Sequence, residues 1–391
     1  MSAGSRGSYP LTTPAATEVF TVVLTHGPVS RVEIARRTGL SSAAVTKAAR
    51  PFIAAGYLEE LGAITGPTAG RPPNPLAVRG DREFFTGVKI TDDELIGVVT
   101  DLRASVLASM HRPLTSSSVD GVVAGLAGIV ADLLATSPAF GERCHSLGLA
   151  MSGDVDRTAG LIRYSPFLGW RHVPLAELAT AATGLEVTVE NDVKSLTIAE
   201  QWFGEGIGAS SFAVVTLGVG IGCGLVINDR VVPGAHGVAG EIGHVPVGGD
   251  GPECHCGGRG CVEAIAGTAS IVQAVRAATG GPALEIGDAI AVAHAGDPAA
   301  RAVFARAGRA IGLAMAAMAN IVGPERIIIT GDLAGLAAYD LFEQGIREAF
   351  ADQAFGAAAD CKLILRPLPF EQWARGAAAV AIERLFTRRV R

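Results

Sequence analysis

Three of the chain's six cysteines fall in one Gly-rich stretch, as Cys254-x-Cys256-x4-Cys261, a short way after His244. One imidazole and three thiolates form a closed donor set suited to a structural, tetrahedral zinc. The four must converge on one point, so the chain has to wrap there, and Gly257, Gly258 and Gly260 allow it to. His255 lies between two of these residues and is expected to point away. Cys144, Cys223 and Cys361 stand alone in apolar context and read as buried core thiols. Six cysteines in 391 residues do not make a disulfide scaffold.

A chain of this length, 49% hydrophobic and 18% charged, has core enough for two or three domains. Aromatics are only 5% against 50 glycines, so the cores rest on small aliphatics and close backbone approaches. Disordered and collagen-like chains are excluded. No apolar run reaches the roughly eighteen residues of a membrane span and no signal segment opens the chain, so a soluble cytoplasmic protein without a membrane partner is expected. The formal charge of −6 hides an asymmetry. Residues 1–80 hold eight basic and four acidic side chains, a net of +4, and the remainder nets −10. A basic head on an acidic body implies two kinds of partner.

The head has the layout of a winged helix-turn-helix. A helix is expected from about Thr13, with Pro14 in its first turn, to Thr25. Ser30-x-x-Glu33 is a capping box opening a short helix that Gly39 ends. Ser41 caps a third helix running towards Ala55-Gly56, with Pro51 as an irregularity inside it. Ile34, Leu40 and Val45 would form the minicore. Ser42, Ala43, Ala44, Thr46 and Lys47 would line the outward turns of a recognition helix, small enough to sit deep in the major groove of operator DNA. Tyr57–Leu61 and Ile64–Leu76 read as a wing with Arg71 at its tip, placed for phosphate or the minor groove.

From Phe84 the pattern becomes α/β. Strands are expected at Phe85–Ile90, Leu95–Asp101 and Val106–His111, a helix at Val119–Ala135, and a strand at Ser146–Met151. An irregular Pro/Gly/Trp segment follows, then a helix at Leu175–Thr183, a strand at Glu186–Glu190 and a helix after Asp192. Next come a strand at Ser211–Leu217 and a hairpin through Leu225–Val231. A long Ala-rich helix at Ala299–Ile321, a strand at Arg326–Thr330 and a basic C-terminal helix complete the layers. The expected boundaries are a disordered tail 1–11, a DNA-binding domain 12–80 and a body 84–391 of two α/β lobes.

At Thr216 the sequence runs Thr-Leu-Gly-Val-Gly-Ile-Gly-Cys-Gly-Leu-Val-Ile-Asn-Asp-Arg, followed by Pro-Gly-Ala-His-Gly-Val-Ala-Gly-Glu-Ile-Gly-His and the cysteine cluster up to Glu263. This resembles the ROK family (repressors, open reading frames and sugar kinases), over essentially the whole chain. The head in front is similar to that of the family's xylose- and N-acetylglucosamine-responsive regulators. The resemblance implies a two-lobed fold of the actin/hexokinase (ribonuclease H-like) type, with sugar in the cleft between lobes. It carries sugar contacts onto Asn191, Glu241, His244 and Glu263, and onto Asp192, which serves the family's kinases as general base. It also implies that His244 binds zinc through one ring nitrogen and can offer the other to a sugar hydroxyl. Phe167 and Lys194 stand where the family commonly has Asn.

Kinases of the family read Gly-Val-Asp-Ile-Gly-Gly-Thr at their first phosphate loop. The same register here reads Gly-Val-Lys89-Ile-Thr91-Asp92-Asp93, which puts two carboxylates where a polyphosphate would lie. Gly218-Val219-Gly220 lacks a customary Thr, and Gly331 is followed by Asp332 instead of a second Gly. The expected function is a sugar- or sugar-phosphate-responsive DNA-binding regulator, a repressor acting as a homodimer or homotetramer, with Asp192 a vestigial base and no enzyme activity. The alternatives are an ATP-dependent sugar kinase with an appended head, and a body whose sugar site is mute. Lys89 or Lys194 could meet the phosphate of a phosphorylated effector.

Overall fold

Thr13 sits in extended backbone and accepts a hydrogen bond from Ala16 N at 3.2 Å, which starts helix α1 (Pro14–His26). The structure, a computed structural model, describes residues 13–62, 74–281, 285–332 and 337–387. Helix α2 (Arg31–Thr38) is capped by Ser30 and ends at Gly39, in the left-handed region at φ 70°. The Glu33 carboxylate, expected to close the capping box, takes Arg36 and Arg37 instead. Helix α3 (Ser42–Ala54) is capped by Ser41 and runs through Pro51. Strands β1 (Leu58–Glu60) and β2 (Leu76–Val78) pair antiparallel as the base of the wing. Of the expected second wing piece, Ile64–Leu76, residues 64–73 with Arg71 at the tip lie outside the described residues, and Leu76 opens β2.

Strands β3 (Phe84–Ile90), β4 (Glu94–Thr100) and β5 (Val106–Pro113) form an antiparallel meander, followed by helices α4 (Val119–Ala135) and α5 (Pro138–Arg143). Strand β6 (Cys144–Met151) pairs parallel to β3. The segment expected to be irregular is instead a small antiparallel sheet of β7 (Asp154–Asp156), β8 (Leu161–Ser165) and β9 (Trp170–Val173). Its alternation is too short to register in sequence, and Trp170 anchors it by donating to Ser117 O at 2.8 Å. Helix α6 (Leu175–Thr183), strand β10 (Glu186–Asn191) and helix α7 (Asp192–Phe203) complete this lobe.

The second lobe repeats the plan. Its elements are β11 (Phe212–Leu217), β12 (Ile221–Ile227), β13 (Arg230–Val231), α8 (Val262–Ala266), α9 (Thr268–Thr279), α10 (Ile286–His294), α11 (Pro298–Val322), β14 (Arg326–Gly331), α12 (Tyr339–Gln353) and β15 (Lys362–Leu365). Both sheets have five strands, ordered β5-β4-β3-β6-β10 and β13-β12-β11-β14-β15. Each is an antiparallel meander extended by two parallel strands, so one topology is used twice without a sequence repeat. Helix α11 has the length and mean apolar composition of a membrane span, though no unbroken apolar run. Yet 67% of its most apolar window is buried in the lobe's own core.

Helix α13 (Glu371–Thr387) ends the described chain. Packing divides the molecule into one unit of residues 1–207 with 373–391 and another of 208–372. In the first unit Phe20, Ile34, Val45, Phe52 and Leu76 of the head share one apolar cluster with Phe85, Ile96 and Val98 of the sheet and with Ala374, Ala378 and Ile382 of α13. The head is therefore built onto its lobe. Leu40, expected in the minicore, packs against this cluster half-buried.

Candidate functional site

On α3, Val45, Ala48, Ala49 and Phe52 are buried, which turns the opposite face outward. Ser42, Ala43, Thr46 and Lys47 are exposed and Ala44 is half-buried, so five of the six residues picked for DNA share the outer face of one helix. Thr46 Oγ1 donates to Ser42 O at 2.9 Å and keeps its acceptor lone pairs outward. Arg50, one turn after Lys47 and exposed, extends the basic edge.

The first unit carries Asn191 and Asp192 at the junction of β10 and α7. Asn191 Oδ1 caps α7, accepting from Val193 N at 3.0 Å and Lys194 N at 3.2 Å, while Nδ2 donates to Gly153 O at 3.2 Å. Asp192 is buried, and its Oδ2 accepts from Ser152 Oγ at 2.6 Å and from Lys89 Nζ in a buried ion pair. Its Oδ1 accepts from Val193 N at 2.9 Å. Burial pushes the Asp192 carboxyl up, but the Lys89 charge and these hydrogen bonds outweigh it and hold the group below the usual carboxylate range. Nζ of Lys89 also lies 5.4 Å from the centroid of the Trp373 ring, on α13. Lys194, also a possible phosphate contact in the sequence, is itself buried. Lys89 stands where the resemblance puts a kinase aspartate. The complementary charge of retained Asp192 was the available signal for this pair, and Trp373 had none.

In the second unit His244, Cys254, Cys256 and Cys261 bring one ligand atom each within 4.8 Å of one another. His244 Nδ1 lies 3.6 Å from Cys254 Sγ, and the Sγ atoms of Cys256 and Cys261 are 3.8 Å apart. A tetrahedron with Zn–S bonds of about 2.3 Å and a Zn–N bond of about 2.1 Å has edges of about 3.6 and 3.8 Å, so these two separations fit that ion. Gly257 and Gly260, at φ 88° and 66°, make the turns that bring them together. Cys144, Cys223 and Cys361 are buried free thiols, as expected.

Glu263 lies beside this loop. Its Oε1 meets His255 Nε2 at 2.7 Å and its Oε2 accepts from Ile221 N at 3.1 Å. The His255 ring is 5.0 Å from that of His244, so His255 does not turn away. Glu241 is exposed in the same unit.

The loops expected to meet phosphate are closed by side chains. At the β3–β4 turn Thr91 Oγ1 donates to Asp93 Oδ1 at 2.7 Å and accepts from Glu94 N at 2.9 Å. In the second unit Ile221 N is taken by Glu263, and Gly222 N donates to Thr216 Oγ1 at 3.2 Å. Asp332 leans on Gly218 so closely that a Cβ there would come within 2.5 Å of its Oδ2.

A model of the ROK family matches residues 85–384. The chain belongs to the ROK family. This ROK chain is 28% identical over 323 residues to the DNA-binding transcriptional dual regulator NagC of Escherichia coli K12, which spans 81% of this chain and 79% of the regulator. It superimposes with a TM-score of 0.81 and 28% identity on a solved ROK family transcriptional regulator, a homolog of the E. coli MLC protein, covering 95% of this chain and 96% of that one. The ROK hexokinase of Thermus thermophilus superimposes with a TM-score of 0.68 and 27% identity over 77% of this chain and 99% of its own. The two-lobed actin/hexokinase-type fold is therefore shared with both regulators and kinases of the family.

Proposed function

We propose that this ROK protein is a sugar-responsive DNA-binding transcriptional regulator, a repressor of carbohydrate uptake or metabolism genes, with a kinase-like body that does not transfer phosphate. The observation that carries this reading is the helix-turn-helix head, with its outward α3 face, sharing a core with the lobe that bears Asn191 and Asp192. Its likeness to a solved ROK regulator over 95% of the chain supports the same reading.

Within it, Ser42, Ala43, Ala44, Thr46 and Lys47 read operator DNA, with Arg71 of the wing on phosphate or the minor groove. Asn191, Asp192, Glu241, His244 and Glu263 contact a sugar or sugar phosphate. A zinc held by His244, Cys254, Cys256 and Cys261 fixes the loop that presents His244 and, through His255, Glu263. Asp192 is a poor general base, because a carboxylate stabilised by a buried lysine has little affinity for the proton it would have to take. The carboxylates of Asp93 and Asp332 stand at the loops where kinases accommodate polyphosphate, and both repel it. Operator binding places the protein in the cytoplasm. Effector alters operator affinity to the extent that it binds one conformation better than another.

Gel-shift titration of the full chain against its own promoter region at low salt is the test. A shift that weakens with salt, and is changed by a sugar or sugar phosphate, is expected. No shift at low salt would overturn the assignment of the head. ATP-dependent phosphorylation of glucose in a coupled assay, at ordinary enzyme concentrations, would overturn the non-enzymatic body in favour of a sugar kinase.

A further inference from the structure

Tyr164 and Phe167, at 40% and 49% exposure, stand on one short hairpin of the first unit. Ser165 of β8 pairs with Trp170 of β9, and residues 166–169 make the turn, with Gly169 at φ 67°. Leu168 and Trp170 enter the lobe's core, which fixes the turn and leaves Phe167 in water. Tyr164 stands opposite Arg171 across the hairpin, and Cζ of Arg171 lies 4.6 Å from the centroid of the Tyr164 ring. Neither the Tyr164 hydroxyl nor the Arg171 guanidinium has a hydrogen-bond or ion-pair partner among the described residues.

This hairpin abuts the pair proposed for sugar. Asn191 Nδ2 donates to Gly153 O, and a Cβ on Gly153 would come within 2.4 Å of Tyr164 O and 3.1 Å of Ser165 Cα. Ser152, the residue before Gly153, donates to Asp192. Phe167 follows Ser165 by two residues, so its backbone lies no more than about 7 Å further on. That step is comparable to the length of one sugar residue.

The two surfaces suit different parts of a carbohydrate. Asn191 and Asp192 carry polar atoms that read hydroxyls one by one. A phenyl ring reads no hydroxyl and instead covers a flat apolar face. A pyranose with equatorial hydroxyls presents such a face, made of its axial C–H groups. Arg171 has donors left over for the hydroxyls at the rim of that face. Exposed apolar residues scattered singly are ordinary on a protein surface. Two aromatic rings and an unpaired guanidinium on one fixed hairpin, continuous with hydroxyl-reading side chains, have instead the make-up of a ligand site.

We infer that Phe167, Tyr164 and Arg171 form a second sugar position beside Asn191 and Asp192, so that the effector is an oligosaccharide of at least two pyranose units. The inference rests on the proposed sugar site and adds to it the size of its ligand.

Isothermal titration of the full chain tests it, comparing glucose with cellobiose, xylose with xylobiose, and N-acetylglucosamine with chitobiose. At least one dimer is expected to bind about tenfold or more tightly than its own monomer, the gain from covering one aromatic side chain. In Phe167→Ala that ratio should fall to near one, and in Phe167→Trp it should return. A ratio near one for every pair in the wild type, or a ratio that survives Phe167→Ala, would overturn the second position while the sugar site itself stands. If none of these sugars binds the wild-type protein, the sugar-site reading fails and the inference falls with it.

Discussion

Lys89, near the end of β3, and Asp192, at the start of α7, meet as an ion pair. Both are buried, and each compensates the charge of the other. Lys89→Met should therefore destabilise the protein by about 3–5 kcal/mol, because it leaves a buried carboxylate unpaired. Adding Asp192→Asn should recover much of that loss; urea titration at neutral pH measures both. The acid limb follows from the sign of the shift. Asp192 is held below its unfolded value, so its stabilising contribution is full above about pH 4 and fades as pH falls through the lowered value. In Lys89→Met the effect of burial is no longer offset, so the acid transition should move to higher pH, as acid titration of the two proteins would show. Asp192 was expected at a sugar site from the family resemblance. That its Oδ2 is occupied by Lys89 and Ser152 was not legible, because those two partners lie 103 and 40 residues away in the chain.

Helices and loops were the most legible level, because caps and metal donors are local chemistry. Ser41 caps α3 and Gly39 ends α2 as their residue types require. Ser41→Ala should cost about 1 kcal/mol in urea titration. Lys47→Ala, on the outer face of the same helix, should leave stability intact and weaken DNA binding, with the slope of log affinity against log salt shallower by about 1 in a gel-shift salt series. The cysteine loop yields a separate expectation. Protein purified without chelator should carry about one zinc per chain by elemental analysis, and a strong chelator should lower its melting temperature until zinc, but not magnesium, is restored. Cys261→Ser should abolish that response. Two local readings needed correction. Glu33 pairs with Arg36 and Arg37, since a carboxylate two arginines can reach gains more there than at a helix cap. His255 turns to Glu263, because the glycine turns set its direction and not its position between two cysteines.

At the scale of the whole molecule the C-terminal helix joins what the sequence kept apart. Trp373 lies by Lys89, Arg375 donates to Ala104 O at 2.7 Å and Phe203 O at 3.2 Å, and Ala374, Ala378 and Ile382 enter the head's apolar cluster. Further along, Glu383 holds Arg157 at 2.6 Å, and Arg157 in turn lies 3.6 Å from Glu190, the residue before Asn191. Ending the chain at Gln372 should therefore melt the head together with its lobe and abolish DNA binding. A circular-dichroism melt and a gel shift of the truncated protein check this, and a head that still binds DNA would contradict it. The sequence by itself determined a basic helix-turn-helix head, an α/β body of the ROK kind and a loop that gathers one histidine and three cysteines, because caps, periodicity and donor spacing act over a few residues. Only the tertiary structure decided that the head shares a core with its lobe, that Asp192 is paired with Lys89, and that the Ile221 amide is taken by Glu263. Those outcomes depend on burial and on pairing between residues far apart in the chain, which sequence order does not encode.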